Sequence, residues 1–319
     1  MKIVFMETDT LGQDVDLTLF DNLGEIVKYP CSDEELNSDR VEEADIVIVN
    51  KIPMNDRTLY KAKNLKLICI TGTGTNIVDF DYTNAKGIAV ANVKGYSTQS
   101  VVQHTFALFF YLYEKLSYYD NFVKSGDYIR SDIFSHFVTK FHELAGKTWG
   151  IIGLGDIGKG VAEVAKVFGC SIIYYSTSGK NNNSSYQQVE LDTLLKESDV
   201  ISIHAPLNAD TRDLIGEVEL RKMKESAILL NLGRGSIVNE QALTKALKEN
   251  WIGGAGLDVL TREPMAADNP LIEIQDSTKL IITPHIAWAT VEARQRVTEE
   301  VYKNIEAYQI GEKRNIVVE

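Results

Sequence analysis

Short apolar runs alternate with polar or amphipathic stretches along this chain. Ile3 to Met6, Glu25 to Tyr29, Ala44 to Val49, Leu65 to Ile70 and Ile88 to Val93 form a first series. Runs of this length between helix-like segments read as buried strands joined by helical crossovers. A second series follows, with Thr148 to Ile152, Ser171 to Tyr175, Val200 to His204, Ala227 to Leu232, Gly254 to Leu260 and Leu280 to Thr283. The rhythm predicts an α/β protein of two doubly wound parallel-sheet domains. Between the series, Ser100 to Lys115 is a long apolar helix that would be costly to expose, and it is expected to pack between the domains. From Thr290 to Ile310, Val291, Val297, Val301, Ile305 and Tyr308 recur at helical spacing. This tail is expected to cross back to the first domain and make it discontinuous, with residues 1–98 and 289–319 in one domain and 99–288 in the other. Lys180 to Ser185 reads as a polar loop.

A glycine-rich turn, IIGLGDIG at 151–158, sits between a strand and a helix of the second series. Gly153, Gly155 and Gly158 make a GxGxxG pattern, and Val161, Val164, Ala165 and Phe168 then keep helical spacing up to Gly169. Strand, turn, helix and strand compose a βαβ unit whose helix start offers free N–H groups and a positive dipole end to a pyrophosphate. Glycines that serve only close packing are the alternative reading.

The remaining composition narrows the setting. A chain of 319 residues suits about two domains. A formal net charge of −12 opposes general affinity for nucleic acid or anionic membranes. Cys31, Cys69 and Cys170 lie in or near apolar runs without a CxxC pair, so buried free thiols are expected and a metal site is not. The N-terminus enters a strand directly, and no run approaches 18 apolar residues. A reducing, cytoplasmic setting without a membrane partner is expected.

Ligands of open parallel sheets bind beyond the carboxyl ends of the strands. Three chemistry-bearing residues follow strand-like runs there: Arg234 in NLGRG, Glu263 in DVLTREP and His285 after Pro284. A guanidinium grips a carboxylate and a neighbouring carbonyl oxygen together. An imidazole delivers a proton to that oxygen, and a nearby carboxylate favours its charged form. Alternatively, Arg234 anchors a loop, Glu263 is solvated and His285 caps a strand. His104, His136, His142 and His204 match no such pairing and are expected to be structural. Trp288 is close enough in sequence to His285 to wall a substrate pocket, or it belongs to a core.

Taken together, TGTGTNIVD (71–79), NVKGYSTQSV (92–101), GLGDIG (153–158), HAPLNADTRDLIG (204–216), NLGRGSIVNE (231–240), GLDVLTREP (256–264) and ITPHIAWAT (282–290) resemble the D-2-hydroxyacid dehydrogenase family over nearly the whole chain. The resemblance implies a Rossmann-type nucleotide domain inserted into a flavodoxin-like substrate domain, and interconversion of a small 2-oxo acid and a D-2-hydroxy acid. Arg234 then matches the substrate arginine, and Glu263 with His285 the acid–base pair. Thr73 and Gly74 match the loop that receives the substrate carboxylate, and Asp258 the residue near the nicotinamide amide. By the same resemblance, Gly155, Asp156, Ile157 and Gly158 match the diphosphate loop, and Leu232, Gly233, Ile286 and Ala287 border the nicotinamide half. ITPHIAWAT and the opening METDTLGQDVDL look most like hydroxypyruvate reductases, or glycerate dehydrogenases, acting on hydroxypyruvate or glyoxylate. A short phosphoglycerate or D-lactate dehydrogenase is the enzymatic alternative, and a nucleotide-sensing protein like the C-terminal binding protein corepressors is the non-enzymatic one. The resemblance also implies a homodimer, with the helix Ser100 to Lys115 as its interface.

One position departs from the pattern. NAD-selective turns carry an acid about 20 residues on, whose carboxylate binds the adenosine ribose hydroxyls. Here that residue is Ser176, followed by Thr177, Ser178, Gly179 and Lys180, and the next acid is Glu190. Nothing in that stretch repels a 2′-phosphate. The cofactor expected is NAD or NADP, with NADPH use open.

Overall fold

The computed structural model describes residues 1–180 and 185–317, so most of the Lys180 to Ser185 loop lies outside the described residues. The chain divides into two compact units, residues 1–97 with 289–319 and residues 98–288.

In the first unit, β1 (Lys2–Phe5), β2 (Glu25–Lys28), β3 (Ile46–Val49), β4 (Leu67–Ile70) and β5 (Ala89–Ala91) form a parallel sheet of order β2-β1-β3-β4-β5. Every residue of β3 and β4 is buried, as expected for strands covered on both faces. One layer of core collects Val4, Met6, Val47, Val49, Ile68 and Val90. The tail helix Val291–Gln309 packs on β4, and the Thr290 side chain caps it at the Ala293 N–H. Val297, Val301 and Ile305 face inward at 0–1% exposure, which accounts for the helical spacing of the tail.

In the second unit, β6 (Thr148–Ile152), β7 (Ser171–Tyr175), β8 (Gln187–Gln188), β9 (Val200–Ile203), β10 (Ile228–Asn231), β11 (Gly254–Leu257) and β12 (Leu280–Ile282) form a parallel sheet of order β12-β11-β10-β9-β6-β7-β8. Successive side chains alternate between two cores, as strand geometry demands. Ile151, Val200, Ile228 and Leu230 join Trp149 and the helices Thr98–Tyr113 and Asp156–Val167 on one face. Ile152, Ile201, Ile203 and Leu229 join Leu194, Leu243 and Leu247 on the other.

Several expectations need correction. The apolar helix, observed as Thr98–Tyr113, buries Val101, Val102, Phe106, Phe109 and Leu112 in the core of the second unit. That face is covered by its own unit, while Gln103 and Ala107 are exposed and Phe110 and Tyr111 half-buried. Cys31 is exposed, because it follows β2 in a polar connection, whereas Cys69 and Cys170 are buried as expected. The strand β8 was not expected: both residues are exposed glutamines, held by backbone pairing with Ile173 and Tyr174.

Candidate active site

The carboxyl ends of six strands in the second unit lie level. Tyr175, Ile152, Ile203, Asn231, Leu257 and Ile282 are successive register partners. Ser176, Gly153, His204, Leu232, Asp258 and Thr283 are thus the first residues past one edge. Strand order reverses between β6 and β9, which opens the crevice where such sheets take ligands.

The three glycines of the turn occupy three different situations. Gly153 has φ +91°, and a Cβ there would lie 2.8 Å from the Ala205 backbone nitrogen. Gly155 has no atom within 4 Å of its Cβ position, so its face is open to a ligand. At Gly158 a Cβ would stand 2.3 Å from the Gly153 carbonyl oxygen, so the helix sits on the turn only because that atom is missing. The helix Asp156–Val167 starts at Gly155 without a side-chain cap, which leaves its first N–H groups for an anion. Past β7, the Ser176 hydroxyl is buried without a hydrogen-bond partner among the described residues. The first turn after it closes with the Gly179 N–H on the Ser176 carbonyl at 3.3 Å, and the Lys180 N–H donates to the Ser178 hydroxyl at 3.2 Å. Thr177, beside them, is half-buried.

Past β10, Asn231 shapes the arginine loop: its side chain donates to the Arg234 carbonyl at 3.0 Å and accepts the Gly233 N–H at 3.1 Å. Arg234 is half-buried, and its Nη1 donates to the Gly233 carbonyl at 2.8 Å. Leu232 and Gly233 are buried beside it.

Glu263 and His285 meet directly. Nδ1 of His285 lies 2.7 Å from Oε2 of Glu263, and the other carboxylate oxygen accepts the Leu260 N–H at 3.0 Å. Their side chains are 21% and 27% exposed, so the pair is sheltered yet reachable. His285 has φ +55°, a left-handed backbone that costs about 1–3 kcal/mol in a residue other than glycine. Its surroundings hold it there. The His285 N–H donates to the carbonyls of Asp258 and Thr283 at 2.8 and 2.9 Å. The Asp258 carboxylate, in a residue only 2% exposed, accepts the Thr283 hydroxyl at 2.6 Å and the N–H groups of Ile286 and Ala287 at 2.9 Å each.

Asp258 is therefore a brace for the histidine loop, a part that its sequence position beside a strand end did not reveal. His104 adds to that brace, with Nε2 3.0 Å from the Thr283 hydroxyl. His136 is bound by the Tyr118 hydroxyl at 2.7 Å, His142 is exposed, and both ring nitrogens of His204 are buried without a partner. Ile286 is exposed, Ala287 is buried, and Trp288 is half-buried beside the core under the apolar helix. In the first unit, Thr73 and Gly74 follow β4. The Thr73 hydroxyl donates to the Val93 carbonyl at 2.7 Å, and the Asn92 amide donates to the Thr73 carbonyl at 2.7 Å, so the loop has a fixed shape. Among the described residues, no group of three His, Cys, Asp or Glu side chains could hold a metal ion, and no helix is long and apolar enough to cross a membrane.

Residues 106–287 match the family model of the D-isomer specific 2-hydroxyacid dehydrogenase, NAD binding domain. The chain belongs to this family. A glycerate dehydrogenase of Methylorubrum extorquens is 38% identical over 316 residues, 99% of this chain and 98% of the relative. A hydroxypyruvate reductase of Blautia hydrogenotrophica is 36% identical and covers 99% of each chain. Among solved structures, the D-lactate dehydrogenase of Aquifex aeolicus, complexed with NAD and lactic acid, superposes with a TM-score of 0.88 at 29% identity over 99% of each chain. This member of the family is an NAD-dependent oxidoreductase that interconverts 2-oxo acids and D-2-hydroxy acids, and its fold is the pair of parallel-sheet domains that the resemblance implied.

Proposed function

We propose that the chain reduces a small 2-oxo acid, hydroxypyruvate or glyoxylate, with Arg234, Glu263 and His285 as its catalytic residues. The 2.7 Å contact between His285 and Glu263 at the ligand-binding edge of the sheet carries this reading. Glu263 accepts a hydrogen bond from Nδ1–H, which leaves Nε2–H of the imidazolium to face the substrate oxygen and give up its proton. Arg234 grips the substrate carboxylate and polarises the carbonyl. Trp288 walls the pocket.

The open face of Gly155, the uncapped helix start and the Ser176 hydroxyl, without a partner among the described residues, support a dinucleotide on these residues. When bound, the nicotinamide supplies the hydride. Gly153, Gly155, Asp156, Ile157 and Gly158 would hold the diphosphate. Ser176, Thr177, Ser178 and Lys180 would hold the adenosine ribose, with NADPH accepted because no acid stands between Glu163 and Glu190. Leu232, Gly233, Asp258, Ile286 and Ala287, with Arg234 and His285, would border the nicotinamide.

The same reading takes the protein as a cytoplasmic homodimer. Three unpaired cysteines suit a reducing compartment. The helix Leu116–Lys124 buries no residue, and Ile129, Ile133, Phe134, Phe137 and Val138 are between 59% and 90% exposed. That apolar segment, in place of the helix Thr98–Tyr113, is the surface a second copy would cover.

The test is a panel of glyoxylate, hydroxypyruvate, pyruvate and phosphohydroxypyruvate, each with NADH and NADPH. Turnover of the first two is expected to exceed that of the others. No turnover with any 2-oxo acid would favour a nucleotide sensor instead.

A further inference from the structure

The Leu260 and Thr261 amides are adjacent, and a different glutamate holds each. Glu263 takes the Leu260 N–H at 3.0 Å. Glu240, which opens the helix Glu240–Lys248, takes the Thr261 N–H on Oε1 at 2.7 Å, and its Oε2 accepts from the Asn269 side-chain amide at 2.9 Å. Asn269 is 8% exposed and in turn accepts the Leu271 N–H at 3.0 Å. One carboxylate thus ties down both ends of the connection from Thr261 to Asn269. Between those ends, Thr261, Arg262, Glu263 and Pro264 are all exposed.

We propose that Glu240 is a positioning residue for the acid–base pair: its two hydrogen bonds set the loop so that the Glu263 carboxylate meets Nδ1 of His285. The inference rests on the reading of that pair as acid and base. A carboxylate suits the task because it offers acceptors at both oxygens to two donors. Glutamine keeps one acceptor and turns a donor towards the other partner. Alanine keeps neither. Without the brace the loop samples positions in which the 2.7 Å contact is open, and misplacement by about 1 Å in a catalytic group costs about 100-fold in rate.

The experiment compares Glu240→Gln, Glu240→Ala and His285→Ala with the parent protein. The readouts are kcat and KM for hydroxypyruvate reduction, and NADH and NADPH dissociation constants from fluorescence titration. In Glu240→Ala, kcat is expected to fall by about 10- to 100-fold, with each cofactor constant unchanged within about twofold. The KM for hydroxypyruvate is expected to stay within about twofold, because the substrate-gripping Arg234 lies outside the connection from Thr261 to Asn269 and the loss falls on the transition state alone. Glu240→Gln is expected to lie between the two. An unaltered kcat in Glu240→Ala, or a lower kcat accompanied by an equal loss in KM or in the cofactor constants, would overturn the inference. An inactive His285→Ala beside an unaffected Glu240→Ala would overturn it alone, whereas full turnover by His285→Ala would overturn the acid–base reading and the inference with it.

Discussion

Gly235 and Leu260 touch backbone to backbone: a Cβ on Gly235 would fall 1.9 Å from the Leu260 carbonyl carbon and 2.3 Å from the Thr261 nitrogen. The glycine one residue past Arg234 is thus what lets the arginine loop lie against the loop that carries Glu263. Gly235→Ala is expected to push that loop outward. Overpacking of this kind costs about 1–3 kcal/mol, readable in urea denaturation, and the displaced Glu263 should lower kcat/KM by about 100-fold. Wild-type kcat/KM in a stably folded Gly235→Ala would show that the loop positions are independent.

Asp258→Asn tests the brace beneath His285. The carboxylate accepts from two amides and a hydroxyl inside a nearly closed environment. An asparagine must turn its own NH2 towards at least one of these donors. Leaving a buried donor unsatisfied costs about 1–3 kcal/mol, and the left-handed backbone of His285 then loses part of its support. The expected outcome is a lower urea midpoint together with a lower kcat. A variant with normal kcat would place the support of His285 elsewhere.

The parts of the molecule that were readable in the sequence are those whose chemistry is local. Ile46–Val49 and Leu67–Ile70 are uninterrupted apolar runs because both faces of those strands are covered. Gln187–Gln188 carry no such mark, since a polar edge strand is defined by its backbone partners alone. The apolar character of the helix Thr98–Tyr113 revealed that it is buried, but not by what, because helical periodicity describes a face and not its neighbour. Arg234, Glu263 and His285 stood out as polar residues at strand ends. The bracing of His285 by Asp258 did not, because the donors of Ile286 and Ala287 are 28 and 29 residues away and carry no side-chain signature. Glu240 is hidden for the same reason: its partners are a backbone amide and an asparagine on a distant loop.

His204 gives the stability of the protein a pH dependence with a definite sign. Burial pushes its imidazole down to about 3 from an ordinary 6.5, so the folded protein keeps it neutral where the unfolded chain binds a proton. Its contribution is fully present above pH 6.5 and is lost as the pH falls towards 3. Across that window the slope approaches about 1.4 kcal/mol per pH unit. His204→Asn removes this titration, so its urea midpoint should fall less steeply than that of the parent between pH 6.5 and 4. Parallel curves for the two proteins would mean that His204 is neutral in both states or charged in both.

Ser176 offers the sharpest test of cofactor choice. The residue is 7% exposed, and its hydroxyl has no partner among the described residues where an NAD-selective turn places a ribose-binding acid. A carboxylate there would accept hydrogen bonds from both ribose hydroxyls and repel a 2′-phosphate, whereas on the proposed reading the hydroxyls of Ser176, Thr177 and Ser178 and the Lys180 cation would accommodate that phosphate. The parent protein is therefore expected to use NADPH at least as well as NADH in kcat/KM. Ser176→Asp should shift the ratio towards NADH by about tenfold or more, on the scale of one desolvated charge interaction, with 1.4 kcal/mol per factor of ten. Dissociation constants for the two reduced nucleotides should move in the same direction. A clear NADH advantage in the parent would leave the serine as a neutral substitute for the acid, with affinity for the adenosine half set by the diphosphate turn at Gly153–Gly158.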